Sequence, residues 1–127
     1  MRPRPPTSPP SLPGDLTEVV EVAVTAPDRA LATRLAEALV AERLAACAQV
    51  GGPVASVYRW KGRVERADEW VCRAKTTRAA LPALEGRVRS LHPYEMPEIL
   101  ATPVTGPAGY LAWVRAEVVT PPPDGAA

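Results

Sequence analysis

The segment SLHPYEMPEIL, residues 90–100, contains the only histidine of the chain among side chains that can bind metal ions or transfer protons. His92 is followed within six residues by Tyr94, Glu95 and Glu98 and by a thioether, that of Met96. Imidazole, thioether and carboxylate groups are all possible ligands for copper and related divalent cations. We therefore expect His92, Glu95 and Glu98 to contribute to a binding surface for a divalent cation or a small ligand.

Two prolines give this segment its shape. Pro93 and Pro97 fix their own φ angles and disfavour the helical conformation for the residue before each of them. The preceding helix must therefore end near His92, and a stiff loop follows that presents Tyr94 and loses little entropy on binding. His92 also has a structural interpretation, as a helix-terminal residue hydrogen-bonded to a carbonyl or carboxylate.

The spacing of the possible ligands does not define a dedicated metal centre. The sequence has no HxxxH and no CxxC motif, so Cys47 and His92 could share a metal only if the fold or another subunit brought them together. Cys47 can also be interpreted as a small buried hydrophobic residue of a central strand. No nucleophile with a base and a third orienting group is evident, so we expect a protein that is not an enzyme and has no obligatory cofactor.

The composition indicates one ordinary globular domain between two proline-rich tails. Hydrophobic residues make up 46% and charged residues 23% of the 127, a balance typical of a single folded unit. Proline-rich ends bury little surface, so we assign residues 1–15 and 119–127 to disordered tails and residues 16–118 to the domain.

Charge and hydropathy exclude several classes of partner. A formal net charge of +1 gives no electrostatic reason to expect nucleic acid. The chain has no apolar run of about 18 residues, and its N-terminal arginines are not followed by the apolar region of a signal peptide. Cys47 and Cys72 do not form a spaced disulfide framework. We therefore expect a cytoplasmic protein that binds neither nucleic acid nor membrane.

Hydrophobic periodicity predicts the order β-α-β-β-α-β followed by a C-terminal helix. Alternating apolar residues in TEVVEVAVT predict the first strand, and Leu31, Leu35 and Leu39 at intervals of four predict the first helix. The last helix, AGYLAWVRAEV, is expected to bury a stripe formed by three residues, Tyr110, Trp113 and Val114. Two crossover units joined by a hairpin predict an α+β fold, the split βαβ or ferredoxin-like sandwich.

The predicted hairpin between VASVYRW and VERADEWVCRAKT has unusually long arms. Strands in globular proteins are typically about five or six residues long, and arms that exceed this length leave backbone unpaired and apolar side chains uncovered. The side chains concerned are Val57, Tyr58, Trp60 and Trp70, which a monomer would expose to water. The two glycines before Pro53 predict a bulge or bend in the first arm.

Five segments together resemble the CutA divalent-cation-tolerance family. They are TAPD, LAACAQV, SVYRWKGRVERADEWVCRAKTT, LHPYEMPEIL with TPV, and GYLAWV, in that order. The resemblance implies a ferredoxin-like subunit, a tight homotrimer in which the long hairpin embraces the neighbour, and a link to copper and other divalent cations. On this interpretation Val57, Trp60 and Trp70 would lie at the trimer interface.

Two hypotheses about function follow. The first is a metal-responsive trimer that binds copper(II) or related ions weakly through four candidate ligands, His92, Cys47, Glu95 and Glu98. The second, by analogy with signalling trimers of the same sandwich fold, is a regulatory module that binds a small anionic ligand in clefts between subunits. The candidate cleft residues are Tyr94, Lys75 and Tyr58, and the cations that would favour an anionic ligand are Lys75, Arg73, Arg78 and Arg89.

Overall fold

A computed structural model describes residues 15–119, which form four strands and three α-helices. In chain order the elements are β1 (Val19–Ala26), α1 (Arg29–Ala41), β2 (Cys47–Trp60), β3 (Arg63–Thr77), α2 (Leu81–Leu91), β4 (Ile99–Pro103) and α3 (Ala108–Glu117). The two predicted tails lie outside the described residues, apart from Asp15 and Val119 at their inner ends.

The four strands form one antiparallel sheet in the order β2-β3-β1-β4. Helices α1 and α2 cover one face, which confirms the predicted α+β ferredoxin-like sandwich. The alternation expected for β1 is present, since Val20, Val22 and Val24 are buried. They pack in one core cluster with Leu35 of α1 and Leu84 of α2.

Local sequence signals determine where the helices begin and end. The side chain of Asp28 caps α1 by accepting a hydrogen bond from the backbone N–H of Leu31 at 2.8 Å. Helix α2 follows a short 3₁₀ turn, Arg78–Ala80, so Pro82 lies in the first turn, where its missing N–H costs no intrahelical bond. At its other end α2 stops at His92, which has an extended backbone, as the following proline predicts.

The β2–β3 hairpin extends well beyond the rest of the sheet. Its arms are 14 and 15 residues long, and only Trp70–Thr77 of β3 pair with β1. Residues 63–69 therefore pair with β2 alone and have no strand on their other side. The exposed apolar side chains of this extension include Val57, Tyr58, Trp60 and Val64. Trp70, which we expected to be exposed with them, is instead partly buried against the core cluster.

A bulge divides β2 where the glycines predicted a bend. The pairing register with β3 shifts between Gly51 and Val54. Gly52 has a φ of +149°, and a Cβ at this position would lie 2.9 Å from the indole ring of Trp70 and 3.1 Å from the carbonyl oxygen of Glu69. Only glycine allows β2 to approach β3 this closely.

The buried face of α3 differs from the prediction. Tyr110 and Trp113 are 43% and 42% exposed, so the predicted stripe is wrong for both, although Val114 is fully buried. The helix instead packs through Leu111, Val114 and Val118 against a second, smaller cluster. Positions 111, 114 and 118 follow the i, i+3, i+7 spacing of one helix face, and the two large aromatic residues lie beside that face.

Candidate functional site

The loop that follows α2 borders a groove of about 660 Å³. Its other wall is the extended hairpin, and the end of β1 contributes Thr25. Three of the lining residues are aromatic, namely Tyr58, Trp60 and Tyr94. Three are acidic, namely Glu69, Glu95 and Glu98. The groove therefore combines aromatic walls with negative charge, and its lining includes no lysine, arginine or histidine.

Glu69 is the most enclosed charged group of the groove. Glu69 is only 6% exposed. It lies on β3 next to Trp70, which forms the last β1–β3 pair with Ala26. The hydroxyl of Tyr94 donates a hydrogen bond to its Oε2 at 2.9 Å. Among the described residues no lysine, arginine or histidine nitrogen lies within 4.0 Å of this carboxylate. Glu69 is thus a buried carboxylate without a cationic partner.

Tyr94 remains a hydrogen-bond donor across the physiological pH range. Burial, and after it the hydrogen bond to Glu69, raises the pKa of Tyr94 to about 12. Proximity to other acidic groups, Tyr58 and Asp28 among them, acts in the same direction. The phenol therefore stays protonated and donates its hydrogen bond to one oxygen of Glu69.

His92 fixes the position of Tyr94. Its Nε2 donates a hydrogen bond to the carbonyl oxygen of Thr25 at 2.7 Å, while its Nδ1 accepts one from the backbone N–H of Tyr94 at 3.2 Å. The two rings also pack together, with centroids 4.7 Å apart. Since both imidazole nitrogens are engaged and the residue is 8% exposed, His92 has here the structural role of a helix-terminal residue bonded to a carbonyl.

The other acidic residues of the loop are exposed. Glu95 and Glu98 line the groove from the solvent side, and Lys61 at the hairpin turn lies 3.9 Å from Glu95. Both partners of this pair are more than 70% exposed, so the ion pair is screened by water and contributes little to stability. The outer end of the groove therefore keeps its negative charge accessible.

Two predicted site residues lie elsewhere. Cys47 is partly buried on the edge strand β2, neither deeply buried nor in a central strand, and its Sγ lies 3.5 Å from the hydroxyl of Tyr110. Lys75 is paired with Glu21 at 3.1 Å and donates to Gln49 at 3.3 Å. Neither residue lines the groove. Within residues 15–119, no three His, Cys, Asp or Glu side chains converge as a metal site would require.

The sequence predicted Glu95 and Glu98 as metal ligands and Tyr58 and Tyr94 as residues of a small-ligand cleft, and all four line the groove. Sequence reasoning missed Glu69. The only local signal was a glutamate beside a tryptophan in the predicted hairpin arm, and its hydrogen-bond partner, Tyr94, is 25 residues away in the sequence.

The topology and the groove together define a ferredoxin-like α+β protein with an extended hairpin and an acidic, aromatic groove at the base of that hairpin. The model of the CutA1 divalent ion tolerance protein family matches residues 20–117. This match covers most of the chain, and the chain therefore belongs to that family.

Individual relatives support the assignment. A divalent-cation tolerance protein CutA from Thermus thermophilus is 45% identical over 95 residues, which cover 74% of this chain and 92% of the relative. The human protein CutA is 44% identical over 93 residues, which cover 72% of this chain but only 52% of the human protein. The domain described here thus corresponds to about half of that longer relative.

Solved structures confirm the fold. The divalent cation tolerance protein of Thermus thermophilus superimposes with a TM-score of 0.78 at 42% identity, covering 80% of this chain and 99% of that one. CutA1 from a psychrotrophic Shewanella gives a TM-score of 0.76 at 38% identity, covering 80% and 95%. In the part of the chain that the structure describes, no helix has the length and apolar character needed to cross a membrane.

Proposed function

We propose that this chain is a homotrimeric divalent-cation-tolerance protein whose acidic groove binds divalent cations weakly. The observation that carries the cation part is the groove itself, which is lined by three carboxylates and by no positively charged residue. Membership of a family named for divalent ion tolerance supports the same function. The role is non-catalytic, because the groove brings together acceptors for a cation rather than a nucleophile and its base.

The trimeric state is supported by the hairpin extension. Residues 63–69 have an unpaired edge side, and Val57 and Trp60 on the opposite arm are 59% and 36% exposed. Uncovered apolar side chains on a long two-stranded ribbon are typical of a surface that another subunit covers. We propose Val57, Trp60 and Trp70 as interface residues, with Trp70 contributing from its partly buried position.

Light scattering on the purified protein tests the assembly. One chain has a mass of 13.5 kDa, so the trimer should give three times this value. A mass of one chain at micromolar concentration would contradict the trimer and would leave the cation proposal standing.

Calorimetric titration with copper(II) tests the cation part. Three dispersed carboxylates bind an ion less tightly than a preformed centre, so we expect a dissociation constant no better than roughly micromolar. The variant Glu95→Gln/Glu98→Gln should bind more weakly than the parent. Glu85→Gln, on the exposed part of α2 and outside the groove, is the matched control.

The originally predicted ligands give two further variants. Cys47→Ser should leave copper binding unchanged, since Cys47 is not a lining residue. His92→Ala should weaken binding indirectly, because it removes the contacts that hold Tyr94. Copper binding that is identical in all these variants and the parent would refute a site in this groove, and loss of binding in Cys47→Ser would favour a site at Cys47.

A cytoplasmic location is also part of the proposal. It is supported by Cys47 and Cys72, which form no disulfide with each other, because disulfides are rare in the reducing cytoplasm. A solved CutA from Archaeoglobus fulgidus is described as periplasmic, so fractionation of cells that express the chain is the required test.

The second candidate function is a regulatory module that binds a small ligand. The ion pairs of this chain change the expected charge of that ligand. The cations that would favour an anion are each paired with a carboxylate of this chain: Lys75 and Arg73 with Glu21, Arg78 with Glu18, and Arg89 with Glu85. In the groove, Glu69 and Glu98 have no lysine, arginine or histidine partner among the described residues, and Glu95 is paired only with the exposed Lys61. A small ligand of this module should therefore be cationic.

A further inference from the structure

We infer that the outer face of the hairpin extension in one subunit docks against the groove of the next subunit in the trimer. Arg59 and Arg66 of that face supply the counter-charge that Glu69 lacks within its own chain. The outer face is formed by six residues, namely Ala55, Val57, Arg59, Val64, Arg66 and Asp68. This inference rests on the homotrimer proposed above, and it goes beyond it by naming the two surfaces that meet and the charges that join them.

The pairing register divides the side chains of the extension between two faces. Residues that pair directly in an antiparallel ribbon share a face, and neighbours along one strand point to opposite faces. The pairs of the outer face are Ala55 with Asp68, Val57 with Arg66, and Arg59 with Val64. The pairs of the opposite face are Val54 with Glu69, Ser56 with Ala67, Tyr58 with Glu65, and Trp60 with Arg63. The opposite face forms the hairpin wall of the groove, to which Val57 of the outer face also contributes.

The outer face combines aliphatic surface with positive charge. All six of its residues are exposed in the single subunit, and the side chains of Val57 and Val64 are the apolar part of it. Among the described residues, no carboxylate oxygen lies within 4.0 Å of the guanidinium of Arg59 or Arg66. Asp68, the only acidic residue of this face, lies at the end nearest the body of the domain. The remainder of the face thus offers unpaired cations around an apolar centre, which suits an acidic partner surface with apolar walls.

The groove is such a surface. Glu69 is 6% exposed, receives one hydrogen bond from Tyr94 and has no cation of the described chain within ion-pair distance. Enclosing an ionised carboxylate costs free energy unless a counter-charge or several hydrogen bonds compensate. An arginine of the next subunit would supply both, because a guanidinium donates two parallel hydrogen bonds to a carboxylate from the end of a long side chain. The rings of Tyr58 and Trp60, which also line the groove, provide walls against which the valines of the outer face can pack.

The opposite charges of the two surfaces favour a ring over a twofold dimer. Contact between an outer face and a groove is head-to-tail, since different surfaces of the two subunits meet, and such contacts close into a ring when the rotation allows it. A twofold contact between two outer faces would instead place Arg59 and Arg66 against the same arginines of the other subunit. A twofold contact between two grooves would oppose their carboxylates. Repulsion between like charges disfavours both arrangements, so the head-to-tail contact is the one that a trimer can repeat three times.

Assembly of the full chain in urea, followed by light scattering, tests the inference. The urea concentration is chosen so that the parent protein is half assembled at a micromolar chain concentration. Under these conditions Arg59→Gln/Arg66→Gln should raise the chain concentration needed for half assembly by about tenfold or more, the effect expected of lost charged hydrogen bonds in an interface. The matched control is Arg34→Gln/Arg63→Gln, which removes two positive charges from exposed residues outside the outer face. It should change this concentration by less than about threefold, as is usual for exposed charges.

A charge exchange identifies the carboxylate that the arginines meet. Glu69→Lys should prevent assembly with the parent arginines, and assembly should return when Arg59→Glu/Arg66→Glu is added, because the contact then has the opposite polarity. If Glu69→Lys unfolds, as judged by circular dichroism, Glu69→Gln takes its place, since it keeps the size of the side chain and an acceptor for Tyr94. In the Glu69→Gln background the arginine double variant should have less than about threefold further effect, because its partner is already neutral.

The outcomes separate this inference from the proposed function. A trimer that Arg59→Gln/Arg66→Gln does not weaken would overturn the inference and leave the homotrimer intact. Equal weakening by this variant and by the control would be a general effect of charge and would also overturn it. A parent protein with the mass of one chain at micromolar concentration would refute the homotrimer and the inference together. The copper titration is decided separately, because the exposed Glu95 and Glu98 that it tests do not belong to the proposed charge pair.

Discussion

The two halves of the β2–β3 hairpin belong to the same antiparallel strand pair but have very different surroundings. In the proximal half, residues 47–51 and 71–77, the strands continue into a four-stranded sheet, and Cys72 and Ala74 are completely buried beneath the helices. In the distal half, residues 54–60 and 63–69, the same pairing continues but no helix covers it. Apolar side chains that would be core residues in the first half are surface residues in the second.

This contrast distinguishes the apolar surface that the chain buries within itself from the apolar surface that only another subunit could cover. The proximal half belongs to a core in which valines of β1 pack against leucines of α1 and α2. The distal half contributes one wall of the acidic groove and an apolar surface without cover in the subunit. The core contacts of the body thus lie within one chain, whereas burial of the distal half is expected to depend on assembly.

The largest expected effect concerns the body. Leu35 of α1 is fully buried in the core cluster, so Leu35→Ala should lower the free energy of unfolding by about 2–5 kcal/mol through lost transfer energy and a cavity. Val40, on the same helix, is 40% exposed, and Val40→Ala should change stability by no more than about 0.5 kcal/mol. Urea unfolding at one fixed protein concentration measures both. Equal losses would contradict the assigned faces of α1.

The second prediction concerns the distal half. Trp60→Ala should weaken assembly by about 2 kcal/mol or more, as expected for a central aromatic residue of an interface. The melting temperature of the parent should rise with protein concentration, because binding between subunits stabilises only the folded state. The variant should lose part of this dependence, while Val40→Ala keeps it. A Trp60→Ala variant that retained full assembly and stability would show that the distal half is not the interface.

The third prediction concerns the junction between α1 and α3. Arg43 follows α1, and its guanidinium donates to the carbonyl oxygens of Ala116 and Glu117 at the end of α3. Arg43→Ala should cost about 1 kcal/mol of stability, because the bonds are charged but exposed to water. Arg34→Ala, also exposed on α1, is the control and should be neutral. Thermal unfolding followed by circular dichroism suffices for the measurement.

The backbone of Arg43 allows a finer test. Its φ is +60°, a conformation that glycine adopts without strain and alanine does not. Arg43→Gly should therefore be less destabilising than Arg43→Ala, although both lose the guanidinium. The reverse order would contradict the assigned conformation at the end of α1.

The sequence predicted those features that depend on local chemistry. Period-two alternation identified β1, leucines at intervals of four identified α1, and prolines identified where α2 ends at His92. The features that were missed depend on distant contacts. The partner of His92 is the carbonyl of Thr25, 67 residues away, and the hydrogen-bond partner of Glu69 is the hydroxyl of Tyr94, 25 residues away.

The errors have the same physical cause. A helix with apolar residues on several sides, such as α3, does not reveal which side faces the domain until its position on the sheet is known. Leu111 was therefore less conspicuous than Trp113, which contains more apolar surface but lies beside the contact. Cys47 was wrongly assigned to a central strand. The strand order, which places β2 at an edge of the sheet, is a property of the whole fold and cannot be inferred from the residues around Cys47.

The final comparison concerns the two cysteines of the proximal half, Cys47 and Cys72. Burial raises the pKa of Cys72 to about 11, from a reference value of 9.0, so at pH 8 this residue is a protonated thiol enclosed in the core. Cys47 is partly exposed at the sheet edge. Iodoacetamide at pH 8 should therefore modify Cys47 in the native protein and Cys72 only after unfolding, as mass spectrometry of peptides would measure.

The same burial predicts a direction for the alkaline stability of the fold. Because the folded state raises the pKa of Cys72, the folded chain retains the thiol proton more strongly than the unfolded chain does. The resulting stabilisation is complete below about pH 9 and is lost as the pH rises towards about 11. Cys72→Ala should remove this contribution to the alkaline decline, whereas Cys47→Ala should leave it in place. Equal labelling of both thiols in the native protein, or an alkaline decline that Cys72→Ala does not alter, would contradict the burial of Cys72 under the helices.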